Sequence, residues 1–325
     1  MRILITAPYH QKGQDLLAEK FGEVIYKPWK ANSRAYDEDE LMELILAHQA
    51  EAIIIEHDHV TAKVIHANPG LQFIGVCRGT PSNVSLVAAK ANGIPVFFTP
   101  ARNAQAVAEL FIATVIDLLR NTLAGISWLE AGNWKEDAHT SYLQFKGNEL
   151  AGKTIGMVGF GAVGQRIANL VENFPCPIRF YDPYLKDDTG KYQQCTLEEV
   201  FSESDIVSIH LPVNESTIGM IDRSLLSLMK PGAIFVNTAR ASVVNRDDLL
   251  EALENKRIRG AVLDVFDHEP PDEKDYRMIK LPQVLATPHI AGATYEVEDH
   301  HVEILNRQLF TWLEQKDDNS IANNH

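Results

Sequence analysis

The stretch TIGMVGFGAVGQ, residues 154–165, decides how the second half of this chain folds. An apolar run of strand character ends at three glycines, Gly159, Gly161 and Gly164, and a helical pattern follows them. Three such glycines are a weak signal alone, but between a strand and a helix each has a function. The first permits a tight turn, the second lets a pyrophosphate approach the backbone, and the third lets helix and strand pack closely. Free N–H groups at the helix start then face the phosphates. The stretch therefore predicts a dinucleotide-binding unit.

An acidic residue, Asp182, follows the next apolar run, 178–181. A carboxylate there accepts hydrogen bonds from the adenosine ribose hydroxyls, and its charge repels a 2′-phosphate. The alternative is that Asp182 and Pro183 only end a strand in a turn. No arginine follows at once, and Lys186 would receive such a phosphate only in part. The pattern predicts NAD rather than NADP as the cofactor.

Short apolar runs alternate with helical stretches on both sides of the glycine loop. Near-continuous Ile and Val runs separated by helices are typical of parallel strands covered on both faces. We therefore expect an α/β protein of two Rossmann-like or flavodoxin-like domains, each with a parallel sheet. The predicted strands are 2–6, 24–26, 52–55, 73–76, 95–98, 154–159, 178–181, 206–210, 233–237, 260–265 and 284–286.

Residues 104–129 contain no proline and a single glycine, Gly125. They are predicted to form one long helix that bridges two domains or lies at a subunit contact. Its charged residues Glu109, Asp117 and Arg120 argue against a membrane span. The polar stretch 132–153 is predicted to be a loop.

Composition and charge exclude several classes of protein. The 325 residues are 45% hydrophobic and 23% charged, which is ordinary for a globular protein. A formal net charge of −14 argues against nucleic acid or an anionic membrane as partner. The three cysteines lack C-x-x-C spacing, and the histidines lack metal-ligand spacing, so we expect neither disulfides nor a metal site. The short N-terminal apolar run does not fit a signal peptide. Together these features favour a cytoplasmic protein.

Residues suited to catalysis follow three of the later predicted strands: Arg240, Glu269 and His289. Ligands of such sheets bind at the carboxyl ends of the strands, so the three are expected to converge on one crevice. An arginine grips a carboxylate, and a histidine donates or accepts a hydroxyl proton. A glutamate orients the histidine and favours its charged form. The plainer alternatives are a surface ion pair for Arg240, a solvated loop acid for Glu269 and a hydrogen-bonded loop histidine for His289.

The other histidines on or near strand ends and helices are interpreted more simply. His210 is expected to line the cofactor and His268 to be exposed. The pair His300 and His301 lies on a predicted helix without a partner at i+4, and is interpreted as surface.

The region from Gly147 to Gly292 resembles the NAD-dependent D-isomer-specific 2-hydroxyacid dehydrogenases, which include phosphoglycerate and glyoxylate/hydroxypyruvate dehydrogenases. The resemblance implies an enzyme that moves a hydride between NAD(H) and a small 2-hydroxy or 2-oxo acid. In it Arg240 binds the carboxylate, His289 is the general acid/base, and Glu269 supports His289. The supporting segments are GNELAGKT (147–154), the glycine loop, HLP (210–212), MKPGA (229–233), NTAR (237–240), DVF (264–266) and TPHIAG (287–292).

The same resemblance assigns cofactor and substrate residues. The substrate loop, whose backbone amides hold the carboxylate, falls on Cys77, Arg78, Gly79 and Thr80, with Asn103 nearby. Arg78 stands where plainer members often have a small residue, so it either contacts an extra substrate group or points into solvent. The residues expected to contact the cofactor are Val107, Gly159, Gly161, Ala162, Val163, Gly164, Asp182, His210, Pro212, Thr217, Thr238, Ala239, Asp264 and Gly292.

The resemblance also implies a domain organisation. Residues 1–100 with 296–325 would form the substrate domain and residues 101–295 the NAD-binding domain, with the active site in the cleft between them. The long helix from Ala104 to Leu129 would form a homodimer contact. The alternative function is an NAD(H)-sensing binding protein, similar to corepressors with little turnover; the set Arg240, Glu269 and His289 favours the enzyme.

Overall fold

The computed structural model describes residues 1–135, 138–185 and 190–322, except for the side chains of Ala138 and residues 317–322. Lys186 lies outside the described residues. The chain divides into two compact units. Unit 1 is Met1–Asn103 with Ala293–His325, and unit 2 is Ala104–Gly292.

Unit 1 is a five-stranded parallel sheet with the strand order β2-β1-β3-β4-β5. Alternate residues of β1 face opposite sides of the sheet, as the strand period of two requires. Ile3 and Ile5 pack in one core with α1 and α13, while Leu4 packs in the other core with α2, α3 and α4. The elements are β1 (Arg2–Ile5), α1 (Gln11–Phe21), β2 (Glu23–Tyr26), α2 (Glu38–His48), β3 (Ala52–Ile55), α3 (Ala62–Ala67), β4 (Ile74–Val76), α4 (Leu86–Ala91), β5 (Val96–Phe98) and α13 (Tyr295–Ala322).

Unit 2 is a seven-stranded parallel sheet with the order β12-β11-β10-β9-β6-β7-β8. The order reverses between β6 and β9, which is where sheets of this kind open a crevice at the carboxyl ends of their strands. The elements are α5 (Ala104–Arg120), α6 (Thr122–Glu130), α7 (Ala138–Gln144), β6 (Ile155–Val158), α8 (Ala162–Val171), β7 (Ile178–Tyr181), β8 (Gln193–Gln194), α9 (Leu197–Glu203), β9 (Ile206–Ile209), α10 (Arg223–Leu226), β10 (Ile234–Asn237), α11 (Arg246–Glu254), β11 (Gly260–Leu263), α12 (Glu273–Ile279) and β12 (Val284–Ala286).

The predicted fold class is confirmed, and each of the predicted strands is present. The inner strands β1, β3, β4, β6, β9, β10 and β11 are buried along almost their whole length, which explains why their sequences are continuous apolar runs rather than alternating ones. The edge strands β2, β5, β8 and β12 are half-buried or exposed. The edge strand β8, which consists of two glutamines, was not predicted from the sequence.

The prediction of one long helix over residues 104–129 is wrong. Asn121 has a left-handed backbone conformation, φ 54°, and separates α5 from α6. The two helices are bent by 65°. Asparagine is one of the few residues that adopt this conformation readily, so the break needs neither glycine nor proline. A second correction concerns the polar stretch 132–153, since it contains the helix α7.

Among the described residues, no single helix is long and apolar enough to cross a membrane; α5 and α6 would meet the length and composition requirement only as a bent pair.

Candidate active site

The glycine loop follows β6, at the point where the strand order of unit 2 reverses. Gly159 has φ +90°, and a Cβ there would lie 2.8 Å from the backbone oxygen of His210. Only glycine fits this turn. A Cβ on Gly161 would instead meet nothing within 4 Å, so the backbone at the start of α8 borders open space. Such a space beside a helix N-terminus is the cradle that a pyrophosphate requires. Ala162 is exposed and Val163 partly exposed at the first turn of α8.

Asp182 supports the glycine loop directly, which the sequence did not reveal. Its Oδ2 accepts a hydrogen bond from the backbone N–H of Phe160 at 2.9 Å, and its Oδ1 accepts from Tyr184 N–H at 3.0 Å. Each carboxylate oxygen has a second lone pair, so these bonds leave acceptor capacity for ribose hydroxyls. Asp182 therefore fits the predicted cofactor contact and also fixes the loop.

Two polar atoms near the same strand ends are buried without a hydrogen-bond partner among the described residues: His210 Nε2 and Thr238 Oγ1. Burial lowers the pKa of His210 to about 4, so its ring is neutral near pH 7. Buried polar groups in folded proteins are nearly always paired, so unpaired atoms here are suited to a bound ligand. Together with the cradle at Gly161, they fit NAD.

Other predicted cofactor residues make internal contacts. The Thr217 hydroxyl donates to the backbone oxygen of Pro212 at 2.7 Å, which closes the loop after β9. Ala239 N–H donates to Asn237 Oδ1. Val107 is 5% exposed and lies on α5. Gly292 is partly exposed at the end of unit 2.

Arg240 lies just beyond β10 and is exposed. Its turn is braced by Asn237, whose side-chain amide donates to the backbone oxygen of Arg240 at 2.9 Å. The guanidinium donates to the backbone oxygen of Ala239 at 2.7 Å. Within the described residues no carboxylate forms an ion pair with Arg240, so the alternative of a surface ion pair is not observed. β10 is the neighbour of β11, and β11 is the neighbour of β12. Arg240, Glu269 and His289 thus follow three consecutive strands.

Glu269 and His289 form a direct pair. Nδ1–H of His289 donates to both carboxylate oxygens of Glu269, at 2.9 Å and 2.8 Å. This geometry leaves Nε2 as the ring nitrogen available to a substrate. Both side chains are a little under half exposed. The pair borders a mostly apolar cavity of about 400 Å³ lined also by Phe266, Tyr276 and Ile279.

The backbone of His289 is held in an uncommon conformation, with φ 54°. Asp264, which is fully buried, supplies the hydrogen bonds that hold it. Its Oδ1 accepts from the Thr287 hydroxyl at 2.6 Å and from Ile290 N–H at 2.8 Å, and its Oδ2 accepts from Ala291 N–H at 2.8 Å. A non-glycine residue with positive φ persists only where its surroundings fix it. Asp264 therefore shapes the segment that carries His289. Its predicted contact with the cofactor stays a prediction.

Unit 1 holds the predicted substrate loop. The amide of Cys77 donates to Ile55 and that of Arg78 to Val76, so these two amides are already used. Burial raises the pKa of the Cys77 thiol well above its usual range, which keeps it protonated. Gly79 and Thr80 have amides with no partner within the described chain, and both are at least partly exposed. The amides of Gly79 and Thr80 are therefore the ones in this loop that remain available to an anion. Asn103 is partly exposed at the end of this segment.

The interpretation of His301 as a surface residue is wrong, whereas His300 is partly exposed. His301 is fully buried, and its Nε2 lies 2.7 Å from the backbone oxygen of Pro8. Its Nδ1 lies 3.0 Å from the guanidinium of Arg102, which also pairs with the buried Glu56 at 2.7 Å. Burial lowers the pKa of His301. These partners lie far away in sequence, so no local pattern reveals the network.

One cluster outside the predicted catalytic residues has the spacing of metal ligands. His268, Asp272 and Asp275 bring side-chain ligand atoms within 4.8 Å of one another. The sequence analysis found no such spacing. Arg246 forms ion pairs with Asp272 at 2.9 Å and with Asp275 at 3.1 Å, so its charge compensates those of the carboxylates. We assign no metal to this cluster. His268 is exposed, as expected.

Comparison with known proteins shows which family the chain belongs to. The sequence model of the family described as "D-isomer specific 2-hydroxyacid dehydrogenase, NAD binding domain" matches residues 112–291. The chain is 58% identical to YoaD of Bacillus subtilis (strain 168), whose name places it provisionally among 2-hydroxyacid dehydrogenases, over 97% of this chain and 92% of that protein. It is 33% identical to hydroxypyruvate reductase of Thermotoga maritima, over 91% and 93% of the two chains.

A solved structure of acyclic imino acid reductase in complex with NADPH and D-Arg superposes with a TM-score of 0.81 at 26% identity, covering 97% of this chain and 98% of that one. Fold, site and relatives define an NAD-dependent oxidoreductase that acts on a CH–OH group. The chain belongs to the D-isomer-specific 2-hydroxyacid dehydrogenase family. The comparisons give no support to the alternative of a binding protein with little turnover.

Proposed function

We propose that this enzyme reduces a small 2-oxo acid to the D-2-hydroxy acid, with His289 as the proton donor, and catalyses the reverse oxidation with His289 as the base. The observation that carries the proposal is the Glu269–His289 pair, in which Nδ1 is committed to the carboxylate at 2.8 Å. A histidine held in this way presents Nε2 to the substrate oxygen. The Glu269 carboxylate favours the protonated ring, which is the form that donates a proton.

NADH, when bound, supplies the hydride that the carbonyl carbon accepts. The residues proposed to hold it are the glycine loop with Gly161, Asp182 and the unpaired buried atoms of His210 and Thr238. His289 adds the proton to the carbonyl oxygen, so the carbonyl becomes a hydroxyl with no other co-reactant. In oxidation the same ring nitrogen takes the hydroxyl proton back.

Arg240 is proposed to bind the substrate carboxylate. It carries a planar fork of N–H donors that matches a carboxylate, and the structure leaves it exposed at the end of β10. In unit 1, the open amides of Gly79 and Thr80 are proposed as anion contacts. Arg78 is proposed to read an additional polar or anionic group of the substrate. Arg78→Ala should then change the ranking of 2-oxo acids; an equal loss with every acid would contradict this role.

The direct experiment is an absorbance assay of NADH with a panel of 2-oxo acids: glyoxylate, hydroxypyruvate, phosphohydroxypyruvate and longer sugar acids. We expect NADH to be oxidised with at least one of them, and the product from a prochiral acid to have D configuration. A product of L configuration, or no turnover with any 2-oxo acid, would contradict the proposal.

We also propose a homodimer, with α6 and α7 of unit 2 as the contact. The α5 part of the expected contact is largely buried within unit 2, whereas α6 has no buried residue. The large apolar side chains exposed on or beside α6 and α7 are Leu123, Ile126, Leu129, Trp134, Tyr142 and Leu143. Several large apolar side chains exposed on the same two helices are typical of subunit contacts. Light scattering should give the mass of two chains, and Leu129→Asp should shift it toward one; a wild-type monomer would contradict the proposal.

A cytoplasmic location is proposed as well. Its support is that Cys77, Cys176 and Cys195 are all free thiols, as is usual in a reducing compartment.

A further inference from the structure

One arginine of unit 2 contacts three carboxylates at once. Arg246 Nε lies 3.0 Å from Asp267, and its Nη1 lies 2.9 Å from Asp272 and 3.1 Å from Asp275. The Arg246 side chain is only 20% exposed and that of Asp275 is fully buried. Arg246 begins α11, so these contacts join α11 to the loop between β11 and α12.

That loop carries Glu269. Asp267 precedes Glu269 and Asp272 follows it, and Arg246 holds both, so the guanidinium fixes the loop on each side of the glutamate. Asp272 also caps α12, because its carboxylate accepts from Asp275 N–H at 2.8 Å. This amide and Arg246 lower the pKa of Asp272 to about 2, so the carboxylate is charged near neutral pH.

The charges make Arg246 hard to replace. Three carboxylates share one guanidinium, and His268 Nδ1 lies 3.0 Å from Asp272. Without Arg246 the buried Asp275 would lose its 3.1 Å contact with the guanidinium, and the acidic groups would repel one another. Such groups relax by moving apart or by binding protons. Either response would displace the loop segment between Asp267 and Asp272.

We propose that Arg246 is a positioning residue for the reaction: it holds the loop from Asp267 to Asp272 so that Glu269 meets His289 Nδ1. The inference rests on the proposed roles of Glu269 and His289. A guanidinium suits this task because its planar fork reaches several carboxylates in fixed directions, whereas a lysine ammonium does not.

The test compares the pH profile of 2-oxo acid reduction in the wild type, Arg246→Met, Glu269→Gln and the double variant. Reduction requires the protonated His289, so loss of Glu269 support moves the falling limb of the profile to lower pH. We expect Arg246→Met to move it in the same direction and to lower kcat about 10- to 100-fold, as expected for misplacement of a catalytic group by about 1 Å. The double variant should be no slower than Glu269→Gln alone, because both changes act through one contact.

Other ionisable groups packed around the pair are kept in all these variants. Asp264 lies behind the segment that carries His289, and Tyr276 faces the cavity from α12. Asp267, His268, Asp272 and Asp275 remain as well. A shift shared by Arg246→Met and Glu269→Gln therefore reports the Glu269–His289 contact.

Arg223 provides the matched control. It pairs with two acids of α11, Asp248 at 3.3 Å and Glu251, but is 60% exposed. Within the part of the chain that the structure describes, its ion pairs involve no residue of the Glu269 loop. Arg223→Met should keep the kcat of the wild type and the pH of its falling limb. Three results would each overturn the inference. The first is a falling limb of Arg246→Met at the same pH as in the wild type, and the second is an equal shift of the limb in Arg223→Met. The third is a loss of kcat in the double variant equal to the product of the two single losses.

Arg246→Lys keeps the test decisive if Arg246→Met does not fold. Lysine keeps one positive charge but cannot bridge Asp267, Asp272 and Asp275 together. We therefore expect a smaller shift of the falling limb in the same direction. A falling limb at the pH of the wild type would overturn the inference. Failure of the proposed function looks different. In that case Glu269→Gln itself would leave the limb unchanged, or the wild type would reduce no 2-oxo acid.

Discussion

Nδ1–H of His289 donates to both oxygens of Glu269, at 2.9 Å and 2.8 Å, although the two residues follow different strands. Their contact depends on β11 and β12 being neighbours in the sheet. It also depends on Asp264, which fixes the backbone on the C-terminal side of His289 through Ile290 and Ala291.

The first prediction concerns the pH dependence of this pair. Glu269→Gln keeps the shape of the side chain but removes the charge that favours the protonated imidazole. The falling limb of 2-oxo acid reduction should therefore move to lower pH, measured from kcat/KM across the pH range. A limb that stays in place would make Glu269 a loop acid without a part in proton transfer.

The second prediction concerns Arg240. Arg240→Lys keeps the charge but loses the planar fork, so a bidentate grip on a carboxylate becomes a single contact. Loss of one hydrogen bond to a charged group costs about 1.5–3 kcal/mol, and we expect KM for the 2-oxo acid to rise about tenfold or more. Steady-state kinetics measure this directly. Wild-type KM in the lysine variant would exclude the bidentate grip.

The third prediction separates the two roles of Asp182. Asp182→Ala removes both the charge and the acceptor for Phe160 N–H, and should weaken NAD binding by about 10- to 150-fold, as expected for charge-assisted hydrogen bonds. Asp182→Asn keeps an acceptor for the loop but loses the charge, so it should weaken NAD binding less and still narrow the preference over NADP. Fluorescence titration with NADH and NADPH measures both. Equal affinity of the wild type for the two cofactors would contradict the assignment.

The fourth prediction follows from the buried His210. Its pKa is about 4 in the folded chain, against an ordinary value of about 6.5 when unfolded. Between these values the unfolded chain binds a proton that the folded chain excludes, so stability falls as the pH falls through this window. By linkage, the free energy of unfolding is lower by about 2 kcal/mol at about pH 5 than at neutral pH.

The measurement is denaturant unfolding of the protein without NAD at pH 7 and at about pH 5. His210→Asn should show a smaller loss between the two conditions than the wild type. The exposed His59 provides a control, because His59→Asn should keep the wild-type loss. Identical pH dependence in wild type and His210→Asn would show that the ring is not buried as described.

The parts of the molecule that the sequence predicted are local. The glycine loop, the buried strands and the residues that end them are set by short-range patterns, and parallel pairing then brings Arg240, Glu269 and His289 to neighbouring strand ends. The break at Asn121 escaped prediction because the apolar pattern continues across it, and a single left-handed asparagine leaves no clear signal.

The supporting contacts escaped prediction for a different reason. Asp264 accepts a hydrogen bond from the Ile290 amide, and Arg246 donates one to Asp272, 26 residues further along the chain. The ring of His301 contacts the backbone oxygen of Pro8, near the other end of the chain. Each side chain is an ordinary polar residue in its own segment. Only tertiary packing determines its partner, so spacing along the chain does not reveal it.

The central claim is that His289 supplies the proton, and its most direct test is NADH oxidation by the wild type and His289→Ala with the most active 2-oxo acid of the panel. Loss of a general acid costs about 10²–10⁴-fold in rate. We predict a fall of this size in kcat with NADH affinity almost unchanged. Turnover near that of the wild type in His289→Ala would contradict it.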